Sequence, residues 1–165
     1  MTVVSNSSPL ISLAKIESFH LLQQLYGTIL ISAEVYAEVV ISGSRLPGAS
    51  ETANAEWIKV RQVHNRMDVT AAQGRFGLGA GELSTIILAK EIEAELVILD
   101  DLGARKLAHR EGFSVQGTVG ILEACFRKGY LSDLKIAYEH LLLRGVFLNR
   151  DLLNRSLASF SLSPL

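Results

Sequence analysis

Cysteine is nearly absent. The 165-residue chain has one, Cys125, which excludes an internal disulfide framework and suits a reducing compartment. Charge of one sign is missing too. Sixteen basic side chains against 17 acidic ones leave a formal net charge of −1. The chain as a whole is therefore pushed neither toward nucleic acid nor toward an anionic membrane, and a polyanion has to be held by a local patch. No unbroken apolar run approaches the roughly 20 residues that span a bilayer. Ser5-Asn6-Ser7-Ser8-Pro9 interrupts the first apolar run and no basic start precedes it, so no signal peptide is expected there. These absences predict a soluble, cytoplasmic protein with no membrane role. Repeats and low-complexity tracts are missing as well, and the four histidines lack the spacing of a zinc site.

What is present is enough apolar content, 48%, to fill the core of one ordinary domain. Thr2-Val3-Val4-Ser5 reads as a buried strand handing over to a helix that Ser8 caps and Pro9 opens. A second helix, Phe19 to Tyr26, ends at Gly27. Thr28 to Ile31 is β-prone, and Ser32 caps a helix from Ala33 to about Ile41. The span 44–54 reads as irregular, around a turn at Pro47-Gly48. Trp57 to Arg61 alternates like a half-exposed strand. Residues 62–78 have no strong period and read as a mobile loop with some helix. A helix then runs from Glu82 to Glu93, and Glu95 to Leu99 is a buried-strand run. A helix Leu102–Arg110, a short strand Phe113–Val115 and three further helices close the chain. Strands alternating with helices over short connections predict an α/β fold, a three-layer α/β/α arrangement with a central, mainly parallel sheet. The expected organisation is a single domain over 1–165, with the helices of about 130–158 as an appended part.

In open α/β sheets ligands gather beyond the carboxyl ends of the strands. Asn6 and Ser8 follow the first strand and Asp100-Asp101 a later one. Glu82 stands in the first turn of a helix led by Gly79-Ala80-Gly81, where the positive end of the helix dipole welcomes a carboxylate. At about 100° per residue, Val35, Tyr36, Val39 and Val40 define an apolar arc. Glu34 lies opposite that arc and is expected in solvent. Glu38 lies nearer its edge and is expected to reach a cleft. Glu38, Glu82, Asp100 and Asp101 crowded together would repel unless a cation neutralised them, and hard oxygen ligands favour Mg²⁺ or Mn²⁺. For each carboxylate alone the plain alternative is a solvated charge, or a helix cap for the aspartates.

Five pieces in order resemble a known family: Val4-Ser5-Asn6-Ser7-Ser8-Pro9-Leu10-Ile11, Val35-Tyr36-x-Glu38, Gly79-x-Gly81-Glu82, Leu99-Asp100-Asp101-x-x-x-Arg105 and Gly117-Thr118-Val119-Gly120. Together, over residues 3 to 155, they look like the PIN domain. More narrowly, they look like a PIN-like branch related to VapC-type toxins. The resemblance implies a metal-dependent ribonuclease holding Mg²⁺ or Mn²⁺. Its metal-site acids would be Glu38, Glu82 and Asp100 or Asp101, with Asp101 preferred, and Ser8 and Thr118 would support them. It also implies a homodimer held inactive by a cognate antitoxin. One position departs: the first family acid is Asn6 here. The amide keeps an oxygen ligand and loses a full negative charge, which weakens attraction for a divalent ion. The alternative is a catalytically weak or inactive PIN-like binding or regulatory protein.

Arg105 and His109, four apart on one helix, are the candidate RNA-phosphate contacts. Lys106 and Arg110 read equally well as a solvated face. Lys59, Arg61, His64 and Arg66 form a second basic stretch. Tyr36 and Tyr138 read as packing residues or as base-stacking rims, and Cys125 as a core residue. Gly77-x-Gly79-x-Gly81 lacks the Lys-Ser/Thr that closes a P-loop, and Asp100-Asp101 falls too late for a receiver domain.

Overall fold

Five short runs, three of them mainly aliphatic, pair into one parallel sheet in the computed structural model, which describes residues 1–165 apart from the side chain of Arg66. The strands are β1 (Val3–Ser5), β2 (Ile29–Ser32), β3 (Ile58–Arg61), β4 (Leu96–Ile98) and β5 (Ser114–Gln116), in the spatial order β3-β2-β1-β4-β5. All four pairings are parallel, with Val4 facing Leu30 on one side and Val97 on the other. Side chains alternate across a strand, so neighbours feed opposite layers. Val3 and Ile98 join Leu10, Leu13, Ile29, Ile31 and Ile121 in one core, whereas Val4 and Val97 join Leu83, Ile86, Leu99 and Leu107 in the other. These two cores make the three-layer α/β/α fold expected from the alternating pattern. Each fully buried leucine contributes about 1.5–3 kcal/mol.

The first layer holds α1 (Ser7–Lys15), α2 (His20–Tyr26), α8 (Thr118–Arg127), α9 (Leu134–Leu143) and α10 (Arg150–Ser159). Leu134, Tyr138, Leu141, Leu153 and Leu157 from the last two helices share the core of Leu10 and Ile29. Cys125 is fully buried there, and burial pushes its thiol up to about 11. The second layer is built on α6 (Ala80–Glu91) and α7 (Leu102–Arg110), with α5 (Arg66–Phe76) against α6.

Three local expectations give way, and a fourth, the loop with some helix at 62–78, is sharpened. The first helix begins at Ser7, with Asn6 as the extended residue before it, so Ser8 does not cap and Pro9 is the third helical residue. Proline is tolerated there because the first four helical N–H groups have no partner within the helix. The irregular span 44–54 contains α4 (Ala49–Asn54), entered through Gly48 at φ +97°, whose N–H bonds Glu51 Oε2 at 3.2 Å. Residues 62–78 hold α5, capped by Asn65, whose Oδ1 accepts from the Met67 N–H, and ended by left-handed Gly77. That helix is barely amphipathic, which hid it from a search for periodicity, although Val63 and Val69 are buried. Finally, α3 (Ala33–Tyr36) runs on into a π-helical turn, Ala37–Ser42.

No helix among the described residues is long and apolar enough to cross a membrane.

Candidate active-site cleft

The strand order reverses between β1 and β4, and the crevice beyond their carboxyl ends is where open α/β sheets take ligands. A cleft of about 930 Å³ opens there, lined among others by Asn6, Ser7, Ser8, Glu38, Glu82, Asp100 and Arg105. Asn6 leaves β1 with its N–H on Ile98 O at 3.0 Å, which fixes it beside the end of β4. It is 3% exposed, and its Oδ1 is buried without a hydrogen-bond partner among the described residues. A buried amide oxygen without a donor costs about 1–3 kcal/mol, so a ligand or a water is owed to that position.

Asp100 is gripped from three directions. Its Oδ1 accepts from the Thr118 N–H at 2.7 Å, and its Oδ2 accepts from the Thr118 hydroxyl at 2.7 Å and the Ser8 hydroxyl at 3.0 Å. Gly117 leaves the space: a Cβ there would press on Asp100, the Arg105 guanidinium and Leu99 O. Arg105 Nη1 donates to Leu99 O at 3.0 Å, which holds it against the strand end. The neighbouring acid, preferred on sequence grounds, has other work. Asp101 caps α7 through Oδ2, which accepts from the Ala104 N–H at 2.8 Å, and it does not line the cleft.

The two glutamates are seated by two glycines. A Cβ on Gly79 would stand 2.5 Å from Glu82 Oε2, and one on Gly81 would stand 2.5 and 2.6 Å from the Glu38 oxygens. The Gly79-x-Gly81-Glu82 motif thus makes room for one carboxylate at each glycine. Both carboxylates meet the N-terminus of α6, whose dipole favours negative charge. Ser7 donates to Glu38 Oε2 at 2.5 Å. A buried chain ties the two glutamate-bearing segments together: Ser32 and Ser84 share a hydrogen bond of 2.7 Å, and the Ser84 hydroxyl also bonds Gly81 O at 3.0 Å.

The helical-wheel assignment of Glu34 is corrected. Glu34 is half-buried with one carboxylate oxygen shielded from water, whereas Glu38 is exposed. The π turn begins at Ala37 and adds a residue to the helical repeat, so a constant 100° step fails at this point.

His109 lies exposed in the last turn of α7 and does not reach the cleft, and Lys106 and Arg110 are exposed beside it. Lys59, Arg61 and His64 are exposed along and just beyond edge strand β3, and Arg66 lies outside the described side chains. Tyr138 is fully buried and bonds Ser156 at 2.6 Å, so it packs rather than stacks, and Tyr36 packs against the first core. The sequence reading missed Lys15, Glu123 and the segment Gly145–Asn149, all of which line the cleft. Glu123 accepts from the Ser156 hydroxyl at 2.6 Å. Nothing in the period or spacing of the last third singles these residues out.

Whether a divalent ion suits this cleft is decided by its donors. They are carboxylate, amide and hydroxyl oxygens, with no sulfur or imidazole, the set that hard cations take. The partnerless Asn6 oxygen is a ready ligand. Against this, among the described residues no three His, Cys, Asp or Glu side chains group as a metal cluster. The residues therefore fit a hard cation in kind, with fewer charges than an all-acid site.

The three-layer α/β/α fold carries an acidic crevice at its strand-order reversal. The chain belongs to the PIN domain family: the family model DUF3368, a PIN domain, matches residues 2–161. PIN domains as a class depend on divalent metal. No curated protein matches the chain.

Proposed function

We propose that the protein is a metal-dependent endoribonuclease that cleaves RNA phosphodiesters in the cleft between β1 and β4. The observation that carries this reading is the buried, partnerless Oδ1 of Asn6 beside Asp100, whose own oxygens are oriented by Thr118 and Ser8. Asn6, Asp100, Glu38 and Glu82 would hold Mg²⁺ or Mn²⁺. Bound there, the ion would activate a water and neutralise charge on the leaving oxygen. Ser7 keeps Glu38 seated over Gly81, and Ser8 and Thr118 keep Asp100 from turning away. Arg105, fixed on Leu99 O, presents its remaining N–H groups to a phosphate. As a toxin of a toxin–antitoxin pair the protein would act in the cytoplasm as a homodimer, silenced by a partner encoded beside it. The test is Mn²⁺-dependent cleavage of generic RNA, with Glu82→Gln as control. Cleavage that persists in both the control and a chelator would belong to a contaminant and would end this assignment.

A second reading is favoured by one observation, the missing acid at Asn6 together with the lack of a three-acid group among the described residues. On this reading the chain binds RNA or a partner and turns over slowly or not at all. RNA bound in the presence of Mn²⁺ without strand scission would select it.

A further inference from the structure

Phe147 is fully exposed, at 101% of its reference area, yet it lines the same cleft as Asn6, Asp100 and Arg105. Its backbone is not loose. Gly145 and Val146 close α9 with N–H bonds to Leu142 O at 3.1 Å and Leu141 O at 3.0 Å. Asn149 caps α10, its Oδ1 accepting from the Asp151 and Leu152 N–H groups at 2.8 and 3.2 Å. Val146 and Leu148, on either side of Phe147, pack on the first core. The flanking anchors leave the ring as the one large side chain of the segment wholly in water. Leu102 and Leu152, 66% and 43% exposed, add apolar surface to the same lining. The rest of the lining is mixed: Ser8, Ser12, Lys15, Asp100, Arg105 and Glu123 stand among the apolar Ile11, Val115 and Val119.

A wholly apolar partner would leave Lys15, Arg105 and the hydroxyls of that lining unpaired, and a free anion would leave the ring in water. A ligand with a flat apolar face on an anionic string answers both. We propose that Phe147 is a stacking platform for an unpaired nucleobase, holding a single strand across the cleft while Arg105 and Lys15 face its phosphates. The proposal rests on the nuclease reading above and deepens it. It makes Phe147 a substrate-positioning residue and selects unpaired segments, because a base within a duplex cannot offer its face. An aromatic ring on an anchored backbone has only its two side-chain torsions to fix on stacking, which suits it to the task.

The experiment measures binding of a 5′-fluorescein-labelled octaribonucleotide of mixed sequence by anisotropy. Calcium is the only divalent ion, to suppress scission. Phe147→Ala should weaken binding roughly 5- to 150-fold, the range of about 1–3 kcal/mol found for base stacking. Phe147→Tyr should bind within about two-fold of the parent, and Phe147→Leu should resemble Phe147→Ala, because a planar face is what counts. An octamer lacking its bases should bind parent and Phe147→Ala alike. RNA cleavage by the parent and by Asp100→Asn is followed in parallel. If the parent cleaves, Asp100→Asn does not, and Phe147→Ala binds the octamer like the parent, stacking is overturned and the nuclease reading stands. If the parent neither binds nor cleaves RNA, both fall. If Phe147→Ala converts a dimeric parent to a monomer on gel filtration, with RNA affinity unchanged per subunit, the ring belongs to a subunit interface and the proposal is overturned.

Discussion

Thr118 holds Asp100 by two hydrogen bonds at once, its N–H on Oδ1 and its hydroxyl on Oδ2, both at 2.7 Å. One residue further along, Asp101 gives its carboxylate to the Ala104 N–H. The two adjacent aspartates therefore divide cleft and cap between them. Asp100→Asn should lower RNA cleavage by at least on the order of 100-fold, since losing a ligand costs more than losing one of the outer partners that orient it. Asp101→Asn should cleave within about two-fold of the parent and unfold within about 0.5 kcal/mol of it, since asparagine caps as well as aspartate. Initial cleavage rates and urea midpoints decide it. The reverse pattern would move the site to Asp101.

Gly81→Ala should separate stability from function. The added Cβ meets only the far end of the Glu38 side chain among its nearest neighbours, at 2.5 to 2.8 Å, and an exposed glutamate can move aside. Replacing glycine within a helix gains about 0.5–1 kcal/mol. Thermal unfolding should therefore be unchanged or slightly raised, while Mn²⁺ affinity measured by calorimetry falls by roughly ten-fold. An unaltered affinity would remove Glu38 from the site.

Asn6→Asp should give opposite results with and without metal. In chelator a carboxylate 3% exposed and close to Asp100 is an unpaired buried charge, and the melting temperature should drop. With Mn²⁺ the added charge should tighten binding and restore or exceed the parent's melting temperature. Equal Mn²⁺ affinity of the two forms would exclude Asn6 as a ligand.

Alkali should loosen the fold in a defined window. Burial pushes Cys125 from 9.0 up to about 11 and Tyr138 from 10.0 up to about 12. The unfolded chain releases these protons at lower pH than the folded one, so it binds fewer protons above pH 9 and stability falls as pH rises. The loss should begin near pH 9 with the thiol, continue as the tyrosine joins near pH 10, and level off for these groups near pH 12. Tyr138→Phe should flatten the upper part of a plot of urea-derived stability against pH. At pH 8 the native thiol should be inert toward a disulfide reagent that modifies it in urea.

Much of the layout was legible because its causes are local. The aliphatic runs at 3–5, 29–31 and 96–98 are buried on both faces and carry no competing helical period. Glu82 lands in the first turn of α6 because two glycines precede a long apolar segment. What sequence reasoning missed depends on distant contacts. Helix α5 hardly differs between its faces, so periodicity passed over it. The choice between Asp100 and Asp101 turns on Thr118 and Ser8, 18 and 92 residues from Asp100. Phe147 is an ordinary apolar letter until the fold carries its segment to the cleft.

The wide turn at Ala37–Ser42 sets a limit on chain length rather than on residue type. Removing any one residue from it would let the helix settle into ordinary α geometry and swing one part against the other by about 100°. The serine-tethered carboxylate could not face Gly81 in that shortened form. This stretch, only partly exposed and anchored by buried Val39, is therefore fixed in its count of residues.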